Sequence, residues 1–205
     1  TANIHEYELA DGIDFANTDI IFIGGGSDRE QKLVCDRLCE FKDEIKAYAN
    51  DGGSLLAVCG GYQLLGRYYK MGDEAIEGIG LLDIYTEQGR QRLIGNIVLE
   101  SEFAGGTVVG FENHGGRTFI GDHKPLGKVL CGKGNNDGGG YEGVVYKNVV
   151  ATYLHGPLLP KNPLLADKIL ANTLLRKYGK AELSPLDDRA ENAAHEYVIK
   201  RFLSK

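Results

Sequence analysis

Two apolar runs, "DIIFIGGG" at 19–26 and "SLLAVCGG" at 54–61, each break off into glycines, and the residues between them carry a helical rhythm. In "REQKLVCDRLCEFKDEIKAYANDGG" the apolar residues Leu33, Val34, Leu38, Phe41, Ile45 and Tyr48 recur at intervals of three to four, with Gly52 and Gly53 as a stop. The spacing predicts one amphipathic helix over about residues 29–50. Strand, helix and strand in that order imply parallel strands with helices on the sheet faces, which commits the chain to an α/β fold. A further strand is expected ahead of them in "ANIHEYEL", and a short helix from about residue 61.

From about residue 78 the pattern becomes β-rich: "GIGLLDIYTEQ", "RLIGNIVLES", "TVVGFENHGG", "KVLCGKG" and "YEGVVYKNVVATYLHG", joined by glycine-rich turns. Such pieces predict largely antiparallel strands on the same domain. "GKGNNDGGGYEG" reads as a tight turn, because Asn, Asp and Gly tolerate the backbone angles that turns require. Two helices close the chain, "KNPLLADKILANTLLRKYG" and "DDRAENAAHEYVIKRFLSK", the second acidic at its start and basic at its end as the helix dipole favours. The expected fold is a mixed, mainly parallel sheet flanked by helices with antiparallel additions, and 205 residues suit a single domain over 1–205.

A net charge of −6 offers no basic footprint for a phosphate backbone, so nucleic acid is not an expected partner. The apolar runs fall far short of the ~20 residues of a membrane helix, and the absence of a basic-then-apolar leader predicts a cytoplasmic protein. The four cysteines, Cys35, Cys39, Cys59 and Cys131, include no C-x-x-C pair and are expected to be reduced. Cys35 and Cys39 alone do not complete a metal site.

Cys59 stands where "SLLAV" gives way to two glycines. A nucleophile on a sharp strand-to-helix turn requires small residues two before and two after it, here Ala57 and Gly61. The following helix would turn its positive end toward the sulfur and lower its pKa. A small core residue ending a strand is the competing reading. Gly24, Gly25 and Gly26, after the other strand, free backbone N–H groups to face an anionic oxygen. "GGGSDRE" lacks both the G-x-G-x-x-G spacing and the P-loop lysine, which disfavours a nucleotide phosphate there. His155 ends an alternating strand in "VVATYLHGPLLP", 155 − 59 = 96 residues after the cysteine, and is a candidate base for it.

Strand-GGG, A-V-C-G-G-Y-Q and Y-L-H-G-P in this order resemble the class I glutamine amidotransferases of the cobyric acid synthase type. "GGGSDREQ", "CGGYQLLG", "RLIGNI", "GFENHGGRT" and "ATYLHGPLLPKN" are similar, more narrowly, to the glutaminase subunits of lipid II isoglutaminyl synthases, from about residue 5 to about residue 178. The resemblance implies a flavodoxin-like domain that hydrolyses L-glutamine and passes ammonia to a Mur-ligase-like synthetase subunit in a heterodimer, for peptidoglycan biosynthesis. It implies Cys59 as nucleophile, His155 as base, Gly25 or Gly26 with Gly60 as the oxyanion hole, and Arg92, Gln63, Asn113 and His114 around the substrate. Arg92 would hold the substrate carboxylate through its planar fork, with Arg90 the nearby alternative.

No cofactor is implied for this chain, ATP and Mg²⁺ belonging to the partner. Pro157 occupies the position of the acid that follows the histidine in full triads, so an acid from the partner is expected to complete the site. The family has a strand and a helix ahead of the segment that opens this chain, which suggests a missing first β-α unit. The alternatives are the amidotransferase domain of a cobyrinic or cobyric acid synthase, and a noncatalytic binding module on the same fold.

Overall fold

The computed structural model describes residues 2–26 and 28–203. Ser27 of the glycine-rich stretch, with Thr1, Ser204 and Lys205, lies outside the described residues. In chain order the elements are β1 (Ile20–Ile23), α1 (Asp28–Glu40), α2 (Lys42–Asn50), β2 (Ser54–Val58), α3 (Gly60–Leu64), β3 (Tyr68–Met71), β4 (Glu74–Glu77) and β5 (Tyr85–Ser101). They continue with β6 (Gly106–Phe119), β7 (Gly127–Cys131), β8 (Tyr141–Glu142), β9 (Val144–Tyr146), β10 (Val149–Thr152), β11 (Leu154–His155), α4 (Pro163–Tyr178) and α5 (Arg189–Leu203).

One sheet has the order β1-β2-β10-β9, with β1, β2 and β10 parallel and β9 antiparallel. The other runs β11-β6-β5-β3-β4, with β7 added beside β5 and β8 beside β7. Among the described residues its pairings are antiparallel apart from β3 with β5. The strand alternation sorts the core. Leu55 and Ala57 of β2 face α1 and α2 through Cys35, Leu38, Ile45 and Ala49, whereas Leu56 faces Ile97, Leu99, Val108 and the α4 residues Leu165 and Ile169. Val98 and Val109, pointing the other way from the long strands, meet Val198 of α5.

Three expectations are corrected. "ANIHEYEL" forms no strand: residues 2–9 are exposed, and β1 pairs with β2 alone, so the alternating side chains have no ladder to join. The helix over 29–50 is two helices, because the backbone leaves helical geometry at Phe41 (φ −107°, ψ 17°) and its N–H bonds the Leu38 carbonyl instead of the one four residues back. Phe41 packs edge-on against Phe15, 6.0 Å between ring centres, and the apolar period runs through the break undisturbed. The pieces "IYTEQ" and "RLIGNIVLES" are parts of one strand, β5, whose pairing with β6 slips between Gln88 and Leu93. The β3–β4 hairpin in "YYKMGDEAIE" carried no sequence expectation.

The sheets are joined through a buried carboxyl. Glu142 is fully buried and accepts hydrogen bonds from the Tyr153 N–H at 2.6 Å and the Thr152 hydroxyl at 2.8 Å. Burial pushes its pKa up to about 8 against the pull of those two donors, and nearby Glu112 adds to the rise. The carboxyl ionises near 4.5 in the open chain and near 8 in the fold, so stability is full below the first value and declines as pH rises to the second. The decline is expected to approach ~1.4 kcal/mol per pH unit. Urea midpoints measured between pH 6.5 and 8 should therefore fall in the native chain and fall less in Glu142→Gln; parallel slopes would show that Glu142 is not the titrating group.

Candidate active site

The site is assembled where β2 and β10 end side by side. Val58 pairs with Thr152, and the Cys59 N–H bonds the Thr152 carbonyl at 2.9 Å, so the chain on either strand is fixed before it turns away. Cys59 then takes φ 54° and ψ −107°, a conformation that side chains rarely adopt, and caps α3. The turn is tight because it lies against the loop after β1. A Cβ on Gly61 would sit 2.4 Å from the Ile23 carbonyl oxygen, and the Gly61 N–H bonds the Gly24 carbonyl at 3.1 Å. A Cβ on Gly25 would sit 3.1 Å from the Cys59 Cβ and 3.4 Å from the Gly60 nitrogen.

Gly25 and Gly60 thus meet at the sulfur, an arrangement suited to holding an oxyanion between backbone N–H groups. A Cβ on Gly26 would instead face the side chain of Glu30, 3.2 Å away. Of the two expected loop donors, Gly25 is the one against the elbow.

The thiol departs from expectation. Burial raises the Cys59 pKa, and the Gly60 N–H and the Arg92 charge only offset part of that rise. A five-residue α3 cannot outweigh the loss of water. The sulfur therefore rests as a thiol and requires a base. Cys35, by contrast, is buried, donates to the Glu77 carbonyl at 2.8 Å, and is pushed up to about 12 by burial and by Cys39 beside it.

His155, the expected base, lies three residues beyond Thr152, where β10 ends. Burial lowers its pKa, the Asn113 carbonyl beside it raises it, and the Arg92 charge lowers it again; the ring is neutral at pH 7. Its Nε2 is buried with no hydrogen-bond partner, which leaves a lone pair free to take a proton.

Arg92 comes from the bulged stretch of β5. Its Nε donates to the Asn113 Oδ1 and its Nη2 to the Asn113 carbonyl, each at 3.0 Å, so Asn113 orients the guanidinium. The charge of Arg92 is felt by Cys59, His155 and His114 alike. The bulge is clasped from behind by Arg117, which donates to the carbonyls of Gly115, Gly116 and Gln91. Nothing in the sequence distinguishes Arg117 from a solvated surface arginine.

His114 is buried and stacked on Tyr153, 3.6 Å between ring centres and 5° from parallel. Its Nδ1 meets the Gly116 carbonyl at 2.9 Å, its Nε2 has no partner, and burial holds its pKa down to about 4. Gln63 is buried too, but both ends of its amide are engaged: Oε1 accepts from Gln31 at 2.9 Å and Nε2 donates to the Tyr153 hydroxyl at 3.1 Å.

Comparison with known proteins agrees with this geometry. Residues 2–163 match the family of CobB/CobQ-like glutamine amidotransferase domains. The lipid II isoglutaminyl synthase (glutamine-hydrolyzing) subunit GatD of Staphylococcus aureus is 48% identical over 200 residues, covering 97% of this chain and 82% of that protein. The GatD subunit of Streptococcus pneumoniae is 44% identical over 92% of this chain and 75% of that protein. A probable cobyric acid synthase of Methanothermobacter thermautotrophicus is 32% identical over 95% of this chain but only 40% of its own length. Among solved structures, PurLQS from Thermotoga maritima shares the fold with a TM-score of 0.57 at 22% identity, over 84% of each chain. The chain belongs to the CobB/CobQ-like glutamine amidotransferase family.

The expected role of Arg92, holding the substrate carboxylate through its planar fork, gives a kinetic expectation. Arg92→Ala should raise the KM for glutamine on the order of 10- to 100-fold. Arg92→Lys should recover little, because a lysine cannot make the forked contact. Unchanged kinetics in Arg92→Ala would transfer the role to Arg90.

Proposed function

We propose that this chain is the glutamine-hydrolysing subunit of a lipid II isoglutaminyl synthase, releasing glutamate and handing ammonia to a Mur-ligase-like subunit that amidates the D-glutamate of the peptidoglycan precursor. The observation that carries the chemistry is the elbow: Cys59 at φ 54°, with Gly25 and Gly60 against it and a neutral His155 three residues beyond the end of the neighbouring β10. The S. aureus and S. pneumoniae subunits, similar over most of both chains, support the substrate and the complex. The cobyric acid synthase reading has less support, since those relatives are less similar and this chain spans a minority of their length.

His155 takes the Cys59 proton as the sulfur attacks the side-chain carbonyl carbon of glutamine. The oxyanion forms against the Gly25 and Gly60 N–H groups. The imidazolium returns the proton to the departing nitrogen, releasing ammonia and leaving a thioester. Water, deprotonated by His155, then attacks the thioester and frees glutamate and the thiol.

Arg92, oriented by Asn113, receives the substrate α-carboxylate. The free Nε2 of His114, an acceptor down to about pH 4, suits a donor on the substrate such as its ammonium group. The hydrolysis needs no metal or organic cofactor, and ATP with Mg²⁺ serves the partner's ligation. No ion pair joins His155 to an acid among the described residues. The Asn113 main-chain carbonyl is the ring's hydrogen-bond partner instead, opposite the free Nε2. Among the described residues no helix is long and apolar enough to cross a membrane.

Cys59→Ala should reduce ammonia release from glutamine to background with an unchanged circular dichroism spectrum, in the isolated chain and in the complex. A glutamine-derived diazo-ketone should label Cys59 ahead of Cys35, Cys39 and Cys131 by peptide mass spectrometry. Turnover near the native rate in the variant, or first labelling elsewhere, would refute the reading.

A further inference from the structure

Gln31 lies one turn into α1, on the helix that begins immediately after the glycine loop, and its side chain is buried to 5% exposure. Its carboxamide fills the space where a side chain of Gly60 would be: a Cβ built there would fall 2.2 Å from the Gln31 Nε2 and 3.0 Å from its Cδ. The same Nε2 donates to the Gln63 Oε1 at 2.9 Å, one turn along α3 from the elbow. Gln63 passes the contact to the Tyr153 hydroxyl at 3.1 Å, which bonds Thr118 at 2.6 Å, and Thr118 bonds Thr86 at 2.7 Å. The chain of amides and hydroxyls therefore crosses from α1 through α3 to the segment before β11 and on to β6 and β5.

The other end of the Gln31 amide, Oε1, is buried with no partner. An unpaired buried carbonyl of this kind carries a desolvation cost that an apolar side chain of the same size would not incur. A glutamine kept here against that cost answers to the geometry of its Nε2 bond and not to packing alone.

We propose that Gln31 is a positioning residue for the oxyanion hole, clamping the Gly60 peptide between α1 and α3 so that its N–H stays aligned with the Gly25 loop at the Cys59 sulfur. α1 then holds both halves of the hole, the loop through its own first turn and the elbow through Gln31. The helix couples them as one rigid piece. This rests on Cys59 being the nucleophile, and the test below includes a measurement on the thiol that requires no glutamine.

Gln31→Met keeps the length and bulk of the side chain and removes the amide. The kcat for glutamine hydrolysis in the complex should fall about tenfold with KM within about twofold of native, since loss of an aligned oxyanion donor acts on the transition state. The pH profile of iodoacetamide alkylation, followed on the Cys59 peptide, should move upward by about half a unit, because the Gly60 N–H is one of the groups that lowers that thiol. Arg92 is the other lowering group, His155 and Tyr153 are the titratable neighbours, and none of the three is altered in this variant.

The exposed Cys39 should alkylate as in the native chain, and the buried Cys35 should stay protected. Native kcat with a native Cys59 profile overturns the proposal, as does a rise in KM alone, which would make Gln31 a substrate ligand. If Cys35 becomes reactive, showing a disturbed fold, Tyr153→Phe decides. Removing that one hydroxyl should lower kcat about threefold with Cys35 still protected, and an unchanged kcat overturns the proposal.

Discussion

Everything at the candidate site depends on two stretches of backbone being allowed to touch. The loop after β1 and the turn after β2 meet through the Gly61 N–H on the Gly24 carbonyl, at a spacing that leaves no space for a side chain on Gly61 and little on Gly25. The parallel pairing of Ile23 with Ala57 brings them to the same height, so the register of two short strands sets how closely Gly25 approaches Gly60. Cys59 is held at φ 54° by the same contacts. A strained residue of this kind persists only where the surroundings over-determine it, and here β2, β10, the glycine loop and α3 all do so.

The interior is polar to an unusual degree for so small a site. Glu142, Asn135, Thr152, Thr118, Thr86, Gln63 and Gln31 are all buried, and they are arranged around Tyr153 and the strand that leads to His155. Satisfied networks of this type fix a unique arrangement where apolar packing would tolerate several. The His155 imidazole is placed by a strand pinned on both sides: Leu154 and His155 pair with Glu112 and Phe111 of β6, while the Tyr153 N–H is tied to Glu142.

How much of this was visible in the sequence follows from the range of the forces involved. The parallel β1–β2 unit and the sharp turn at Cys59 are local, written in apolar runs that end in small residues, and the fold has both, with Gly61 too close to Ile23 to carry a side chain. The family resemblance, carried by "CGGYQLLG" and "YLHGPLLPKN", agrees with the relatives found. The break at Phe41 was hidden, because an aromatic contact with Phe15 interrupts the backbone without altering the apolar period. The coil at 2–9 was hidden because alternation reports which side chains could line a face and not whether a neighbouring strand exists. The sign of the Cys59 shift was misjudged because burial is a property of the whole fold, whereas the helix end is local. Gln31 and Arg117 went unnoticed for a similar reason: Gln31 bonds an amide 32 residues away, and Arg117 bonds main-chain carbonyls, one of them 26 residues away, none of which leaves a pattern in the sequence.

Arg92 is fastened by an amide oxygen and a main-chain oxygen, neither of which bears a formal charge. A guanidinium anchored by a carboxylate would be spoken for electrically before any ligand arrived. Anchored this way, it is fixed in direction and still uncompensated. A molecule that presents a free carboxylate gains from that, and a glutamine residue inside a polypeptide, whose carboxyl is tied up in a peptide bond, does not. With Arg92 in its proposed role, the manner in which one arginine is tethered is a filter between the free amino acid and the same side chain in a protein.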